Sequence, residues 1–173
     1  MKFSGIWHTA DEELALMNKY FGENKIVLEV GSFEGYSAIK LSEKNIVVTI
    51  DPFVFGYNDI DKASKTNFAE VRKTFLENIE GKKIISIRQK SEDVLKWWHQ
   101  PIDNLYIDGN HVKEALLIDM KFIDFVKDNG YIAFHDYHPE HPDVIEFVDK
   151  FIRNKYKFID QLKRIIIFQK AQP

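Results

Sequence analysis

The sequence has no cysteine, only five prolines, and no apolar run approaching the ~18 to 20 residues of a membrane span. The first absence excludes a disulfide framework, thiolate metal ligands and a cysteine nucleophile, and fits a reducing compartment. The second removes any proline-rich linker: the prolines fall where elements start or stop, so nothing divides the chain. The third, with no signal-like apolar stretch after Met1-Lys2-Phe3-Ser4-Gly5, makes a cytoplasmic protein the expectation. An excess of one charge is lacking as well. Basic residues number 24 and acidic residues 27, a formal charge of −3 without long runs, so neither a nucleic acid nor a membrane is expected as partner. A small molecule is the expected ligand. With 45% hydrophobic content and no repeat, residues 1–173 read as one domain, 1–24 forming a covering helix and 25–173 the core.

What is present is a succession of short apolar, β-branched runs: Ile26 to Val30, Ile46 to Ile50, Ile84 to Ile87, Leu105 to Ile107, Tyr131 to Phe134 and Arg164 to Phe168. Such runs suit parallel strands buried on both faces. Helical patterns lie between them, with Phe68, Val71, Phe75 and Ile79 on one face, then Val112, Leu116, Met120 and Ile123, then Val144, Phe147, Val148 and Phe151. The alternation predicts a doubly wound α/β sheet with right-handed crossovers. At the end, Tyr156 to Leu162 and Arg164 to Phe168 are separated only by a tight turn, which predicts an antiparallel hairpin. Asp11 is expected to cap an opening helix carrying Leu14, Leu16, Met17 and Tyr20.

The stretch VLEVGSFEGYSAIKLS reads as buried strand, tight turn and helix, and ligands of doubly wound sheets bind at the carboxyl ends of the strands. Gly31 and Gly35 therefore face the ligand, and Gly31→Val is expected to abolish binding in a folded protein. A dinucleotide fingerprint needs a glycine where this chain has Phe33. Glu29, two residues before Gly31, would repel a pyrophosphate but suits a cationic ammonium. Twenty residues after Gly31, Asp51 ends the next strand, where a carboxylate can accept hydrogen bonds from both hydroxyls of a ribose. Ser91-Glu92-Asp93 opens a helix after the third strand and serves either as an adenine contact or as a simple cap. The fourth and fifth strands end in LYIDGNH and YIAFHDY, placing Asp108 and Asp136 at neighbouring carboxyl ends. Strands lie ~4.8 Å apart, so the two carboxylates can share one divalent cation. Oxygen ligands favour Mg²⁺, Mn²⁺ or Ca²⁺, and nearby histidines admit a softer metal.

These residues together resemble a class I S-adenosylmethionine-dependent methyltransferase, and within that class the chain is similar to the family 24 methyltransferase domain of the macrocin O-methyltransferase and cephalosporin hydroxylase-like group. The resemblance runs from about Lys25 to the terminal hairpin and rests on EVGSFEGYS, TIDPF, IDGNHVKEALLID and NGYIAFHDY. It implies a Rossmann-like, mostly parallel seven-stranded sheet ordered 3-2-1-4-5-7-6 with S-adenosylmethionine over strands one, two and four. By that match Glu29, Gly31, Ser32, Phe33, Glu34, Gly35, Tyr36 and Ser37 hold the methionine portion, Asp51 with Pro52 the ribose, Ser91 and Glu92 the adenine edge, and Asp108 the rim of the acceptor site. Related metal-dependent O-methyltransferases carry an Asp after strand four and Asp-Asn or Asp-Asp after strand five; here the latter position reads His135-Asp136-Tyr137. One oxygen ligand is thus replaced.

Of six histidines, His111, His135, His138 and His141 follow strands four and five. His111 or His135 is the expected general base, because imidazole titrates near neutrality; the other reading of His135 is that it faces away from Asp136 and packs. His138 and His141, in HPEHPD, are expected to be solvated turn residues. Trp97 and Trp98 are expected to pack into the core, with at least one buried, and Phe53, Phe55 and Tyr57 to form a lid or a dimer contact. The expected activity is methyl transfer to an oxygen, secondarily a nitrogen, of a small acceptor, with Mg²⁺ or Mn²⁺ as an optional cofactor and a homo-oligomer left open. The rivals are a metal-dependent hydrolase using Asp108, His111, His135 and Asp136, a non-catalytic nucleoside-binding module, and a nicotinamide oxidoreductase, against which Phe33 counts.

Overall fold

The computed structural model describes residues 1, 3–4, 8–54 and 66–171. In chain order the elements are α1 (Asp11–Phe21), β1 (Ile26–Val30), α2 (Tyr36–Ser42), β2 (Ile46–Ile50), α3 (Phe68–Ile79), β3 (Ile84–Ile87), α4 (Ser91–Val94) and β4 (Ile102–Ile107). There follow α5 (Lys113–Asp119), continued by a 3₁₀ stretch (Met120–Phe125), then β5 (Val126–Phe134), α6 (Pro142–Phe147), continued by a π-helical turn (Val148–Ile152), β6 (Lys157–Leu162) and β7 (Ile165–Gln169). The strands form one sheet ordered β3-β2-β1-β4-β5-β7-β6, parallel up to β5 and antiparallel from there. This is the order and the terminal hairpin that the resemblance implied.

Period-two alternation divides the core into two layers. Leu28, Val30, Val48, Ile50, Leu105, Ile107, Ile132 and Phe134 face Trp98, Phe122, Ile123, Val144 and Phe147. On the other face Val27, Val47, Tyr106, Ala133, Ile165 and Ile167 meet Leu14, Met17 and Phe21 of α1 and Ala38 and Leu41 of α2. A small third cluster of Phe53, Val71 and Phe75 lies with Phe33 and Ile79.

Several local expectations change. β3 is not buried on both faces: it is an edge strand, and Ile85 is 56% exposed. β6, at the other edge, leaves Phe158 and Leu162 outward. β4 begins three residues before Leu105, and β5 begins at Val126, because the polar stretch Lys127 to Gly130 is accommodated at an irregularity in the pairing. Asp11 is the first residue inside α1; Ala10 is the cap position, and Glu13 accepts its N–H at 2.9 Å. Trp98 is buried, whereas Trp97 is exposed with its indole N–H donating to Gln89. Among the described residues no helix is long and apolar enough to cross a membrane.

Candidate active site

The turn after β1 owes its shape to positive φ at Gly31 (87°), Phe33 (45°) and Gly35 (86°), and to Asp51. One Asp51 oxygen accepts the N–H groups of Ser32 (2.9 Å) and Phe33 (3.1 Å), and the other accepts that of Phe53 (2.7 Å). A carboxylate offers about four lone-pair positions, so one on Oδ1 is left for a ligand hydroxyl. Asp51 therefore first clamps the turn to the end of β2. Gly31 is small for a reason other than the expected one. A Cβ there would lie 2.2 Å from the Asp108 carbonyl oxygen, and one at Gly35 would lie 2.9 Å from Phe75. The close neighbour of Gly31 is the end of β4, not an open ligand space.

Glu29, Thr49 and Tyr106 are cross-strand neighbours on one face. Glu29 is completely buried; its Oε1 accepts the Ser37 hydroxyl, while Oε2, like Ser32 Oγ and Thr49 Oγ1, has no hydrogen-bond partner among the described residues. Burial, then the charges of Asp108 and Asp51, push its pKa up to about 8 against the Ser37 hydrogen bond. A buried, unpaired carboxyl oxygen beside unpaired hydroxyls fits the ammonium and carboxylate of a methionine moiety. The rest of the turn is engaged elsewhere. Glu34 accepts from Ser4 N–H (2.7 Å) and Ser4 Oγ and lies 3.3 Å from His8 Nε2. Tyr36 donates to Asp11 and stacks on His8, and Phe33 packs against the third cluster. Phe53 is a core residue in contact with Phe75, not a lid; Phe55 and Tyr57 lie outside the described residues. Ser91 opens α4 and hydrogen-bonds the buried Asp119, whose carboxyl burial pushes up to about 7; Glu92 is exposed and lies 3.7 Å from Lys90.

A second cluster of polar side chains is built at the ends of β4 and β5. Asp136 adopts φ 55°, a left-handed conformation that aspartate tolerates, and this turns its carboxylate back toward His135 instead of leaving the two on opposite faces. His135 Nδ1 lies 3.2 Å from Asp108 Oδ1 and 3.4 Å from Asp136 Oδ2, though off the axis of a directed hydrogen bond to either. Its Nε2 lies 3.4 Å from Glu13 Oε2. His111 Nε2 stands 3.0 Å from Asp136 Oδ2, and His141 Nε2 3.5 Å from Asp136 Oδ1, with the two rings 4.5 Å apart. His141 is thus part of the site and not a solvated turn residue, while His138 stays at the rim beside Glu140.

The charges follow from the contacts. Burial disfavours a charged His135, but Asp108, Asp136 and Glu13 outweigh it and push its pKa up to about 12. Without a cation beside it His135 thus holds its proton between carboxylates, whereas His111 is the more exposed of the two expected candidates. For His111 burial is likewise opposed, and outweighed, by Asp136, and its pKa is raised. Asp136 is held far below the usual carboxylate range because His111 and His135 overcome its burial.

Sequence reasoning missed four contributors. Glu13, buried on the inward face of α1, also accepts the Arg164 N–H at 2.7 Å. Arg164 Nη1 donates to Asp136 Oδ1 at 3.1 Å. The buried Tyr106 hydroxyl donates to Asp108 Oδ2 at 2.9 Å and lies 2.8 Å from Thr9 Oγ1. An acid at the same helical face as Leu14 and Met17, and a tyrosine in an otherwise aliphatic strand, were the available signals. A groove of about 630 Å³ lined by His99, Asp124, Lys127 and Lys170 lies at the other end of the sheet and contains none of these residues.

A model of the family described as a methyltransferase domain, family 24, matches residues 28–137. No curated protein sequence matches the chain. Among solved structures, an rRNA methylase from Streptococcus thermophilus is 13% identical with a TM-score of 0.67, covering 98% of this chain and 100% of its own. The O-methyltransferase NovP is 16% identical with a TM-score of 0.71, over 93% of this chain and 80% of its own. The N-methyltransferase NodS from Bradyrhizobium japonicum, in complex with S-adenosyl-L-homocysteine, is 11% identical with a TM-score of 0.62, over 93% and 87%. These likenesses show the fold.

Proposed function

The chain belongs to the family 24 methyltransferase domain, a class I S-adenosylmethionine-dependent methyltransferase, and from that we propose that it methylates an oxygen of a small acceptor at the carboxyl ends of β4 and β5. When bound, the donor supplies a methyl group on a sulfonium, reactive enough that the protein is left with alignment and proton removal. Glu29 Oε2 takes the ammonium, Ser32 the carboxylate, the free position on Asp51 a ribose hydroxyl, and Ser91 and Glu92 border the adenine. Asp108 links the two halves of the site, its carbonyl packed on Gly31 and its carboxylate directed at His135.

His111 is the base. Its side chain is 33% exposed, against 9% for His135, so it is the imidazole an acceptor can reach, and Asp136 both orients it and strengthens its basicity. As the O–C bond forms and the C–S pair passes to sulfur, the hydroxyl proton passes to Nδ1 of His111, whose Nε2 is the nitrogen held by Asp136. Asp108, His135 and Asp136, whose ligand atoms lie within 4.8 Å of one another, fit a divalent cation, which would acidify the hydroxyl. The observation that carries the reading is the convergence of His111 and the two aspartates beside the Gly31 turn.

The test is formation of S-adenosylhomocysteine against panels of hydroxyl, amine and RNA acceptors. Methylation on oxygen is expected, with kcat falling about 10²- to 10⁴-fold in His111→Ala at unchanged S-adenosylhomocysteine affinity. Activity confined to amines or RNA, or an unaltered kcat in the variant, would replace this reading.

A further inference from the structure

The three groups gathered at the ends of β4 and β5 each have one polar atom fixed from outside and one directed inward. Asp108 Oδ2 accepts from Tyr106, leaving Oδ1 toward His135. Asp136 Oδ1 accepts from Arg164, leaving Oδ2 toward His135 and His111. His135 Nε2 faces Glu13, leaving Nδ1 between the two aspartates, buried and without a directed partner among the described residues. Donors at about 2.1 Å from a shared ion are about 3.0 Å apart in octahedral and about 3.4 Å apart in tetrahedral coordination. The Nδ1 distances of 3.2 and 3.4 Å to the two oxygens fall in that range.

We propose that this is a one-imidazole, two-carboxylate centre for a first-row divalent transition metal, with His135 Nδ1 as ligand, Glu13 as the residue that fixes its tautomer, and Mg²⁺ disfavoured. The inference rests on the cation in the proposed function and specifies its identity. Glu13 holding the Nε2 hydrogen leaves the Nδ1 lone pair for the ion, the arrangement in which an outer carboxylate orients a ligating histidine and raises its donor strength. An imidazole donor suits Mn²⁺, Fe²⁺, Co²⁺ or Zn²⁺, whereas Mg²⁺ takes oxygen ligands and gives up water reluctantly. Charge agrees: the Arg164 guanidinium meets Asp136 alone of Asp108, Asp136 and Glu13, so the proton on His135 is what balances the other two, and a divalent cation would take the place of that proton at Nδ1, where an N–H meets neither aspartate in line. His111 Nε2 lies on the same Asp136 oxygen that would meet the ion and His141 Nε2 on the other, and the remaining positions of the ion are left to water or an acceptor.

The experiment is calorimetric titration of the whole protein, saturated with S-adenosylhomocysteine, with Co²⁺ and with Mg²⁺. Co²⁺ is expected to bind at least 100-fold more tightly, and the gap is expected to shrink at least tenfold in His135→Asp. Glu13→Gln should weaken Co²⁺ binding 10- to 100-fold. Where either variant fails to fold, the Co²⁺-loaded native protein decides: Nδ1 ligation leaves the His135 Nε2 proton as an exchangeable, paramagnetically shifted resonance, and its absence overturns the proposal. An unchanged gap in folded His135→Asp overturns it too. Equal binding of Mg²⁺ removes this inference and keeps the cation; binding of neither ion removes both and leaves methyl transfer on His111 standing.

Discussion

Glu29 is buried with one carboxyl oxygen unpaired, and its pKa is displaced from its usual 4.5 to about 8. An acid whose folded pKa lies above its unfolded one holds its proton more tightly when folded. The associated stability is therefore complete below about pH 4.5 and is lost as pH rises through about 8. In ligand-free protein Glu29→Gln is expected to remove this loss, gaining about 1–3 kcal/mol on wild type between pH 6 and pH 9 in urea melts. The same variant should bind S-adenosylhomocysteine more weakly, because a cationic ammonium meets an amide in place of a carboxylate. Parallel pH profiles for the two proteins would show that Glu29 stays ionised in the fold. Gly31 gives the second residue-scale prediction. With φ 87° and a Cβ position 2.2 Å from the Asp108 carbonyl, Gly31→Val should unfold or destabilise the protein by more than about 3 kcal/mol, not act on binding alone. A midpoint of denaturation equal to wild type would refute the packing account.

β2 and β3 read alike, IVVTI and IISI, yet one is interior and the other terminates the sheet. Burial, and not composition, sets what each tolerates. Ile85→Lys should change stability by no more than about 0.5 kcal/mol, since the side chain already meets solvent and a charged edge strand resists pairing with other chains. Ile50→Lys would place an ammonium in the core and is expected to prevent folding; comparable denaturation midpoints for the two variants would contradict the assignment of β3 to the edge. α1 shows the same dependence on partners. Its periodicity predicted a covering helix, which it is, but the helix also delivers Glu13 to His135, a pairing across 122 residues that no local pattern records.

For the molecule as a whole, S-adenosylhomocysteine is expected to raise the melting temperature and NAD to leave it unchanged, because only a ligand selective for the native state stabilises by mass action. A shift with NAD alone would remove the family reading of the turn. The strand runs, the turn residues and the two aspartates after β4 and β5 were legible in the chain, because a strand's period, a glycine's permitted φ and a strand's carboxyl end are local properties. From them followed the sheet and the place of the site. Only the tertiary structure decided which histidine is exposed and what surrounds each acid. It placed Glu13 and Arg164 around His135 and Asp136, turned Asp136 by a left-handed φ onto the face of its neighbour, and set the Asp108 carbonyl against Gly31. Hydrogen bonding and desolvation depend on atoms brought within a few ångströms by packing, and sequence separation carries no measure of that distance.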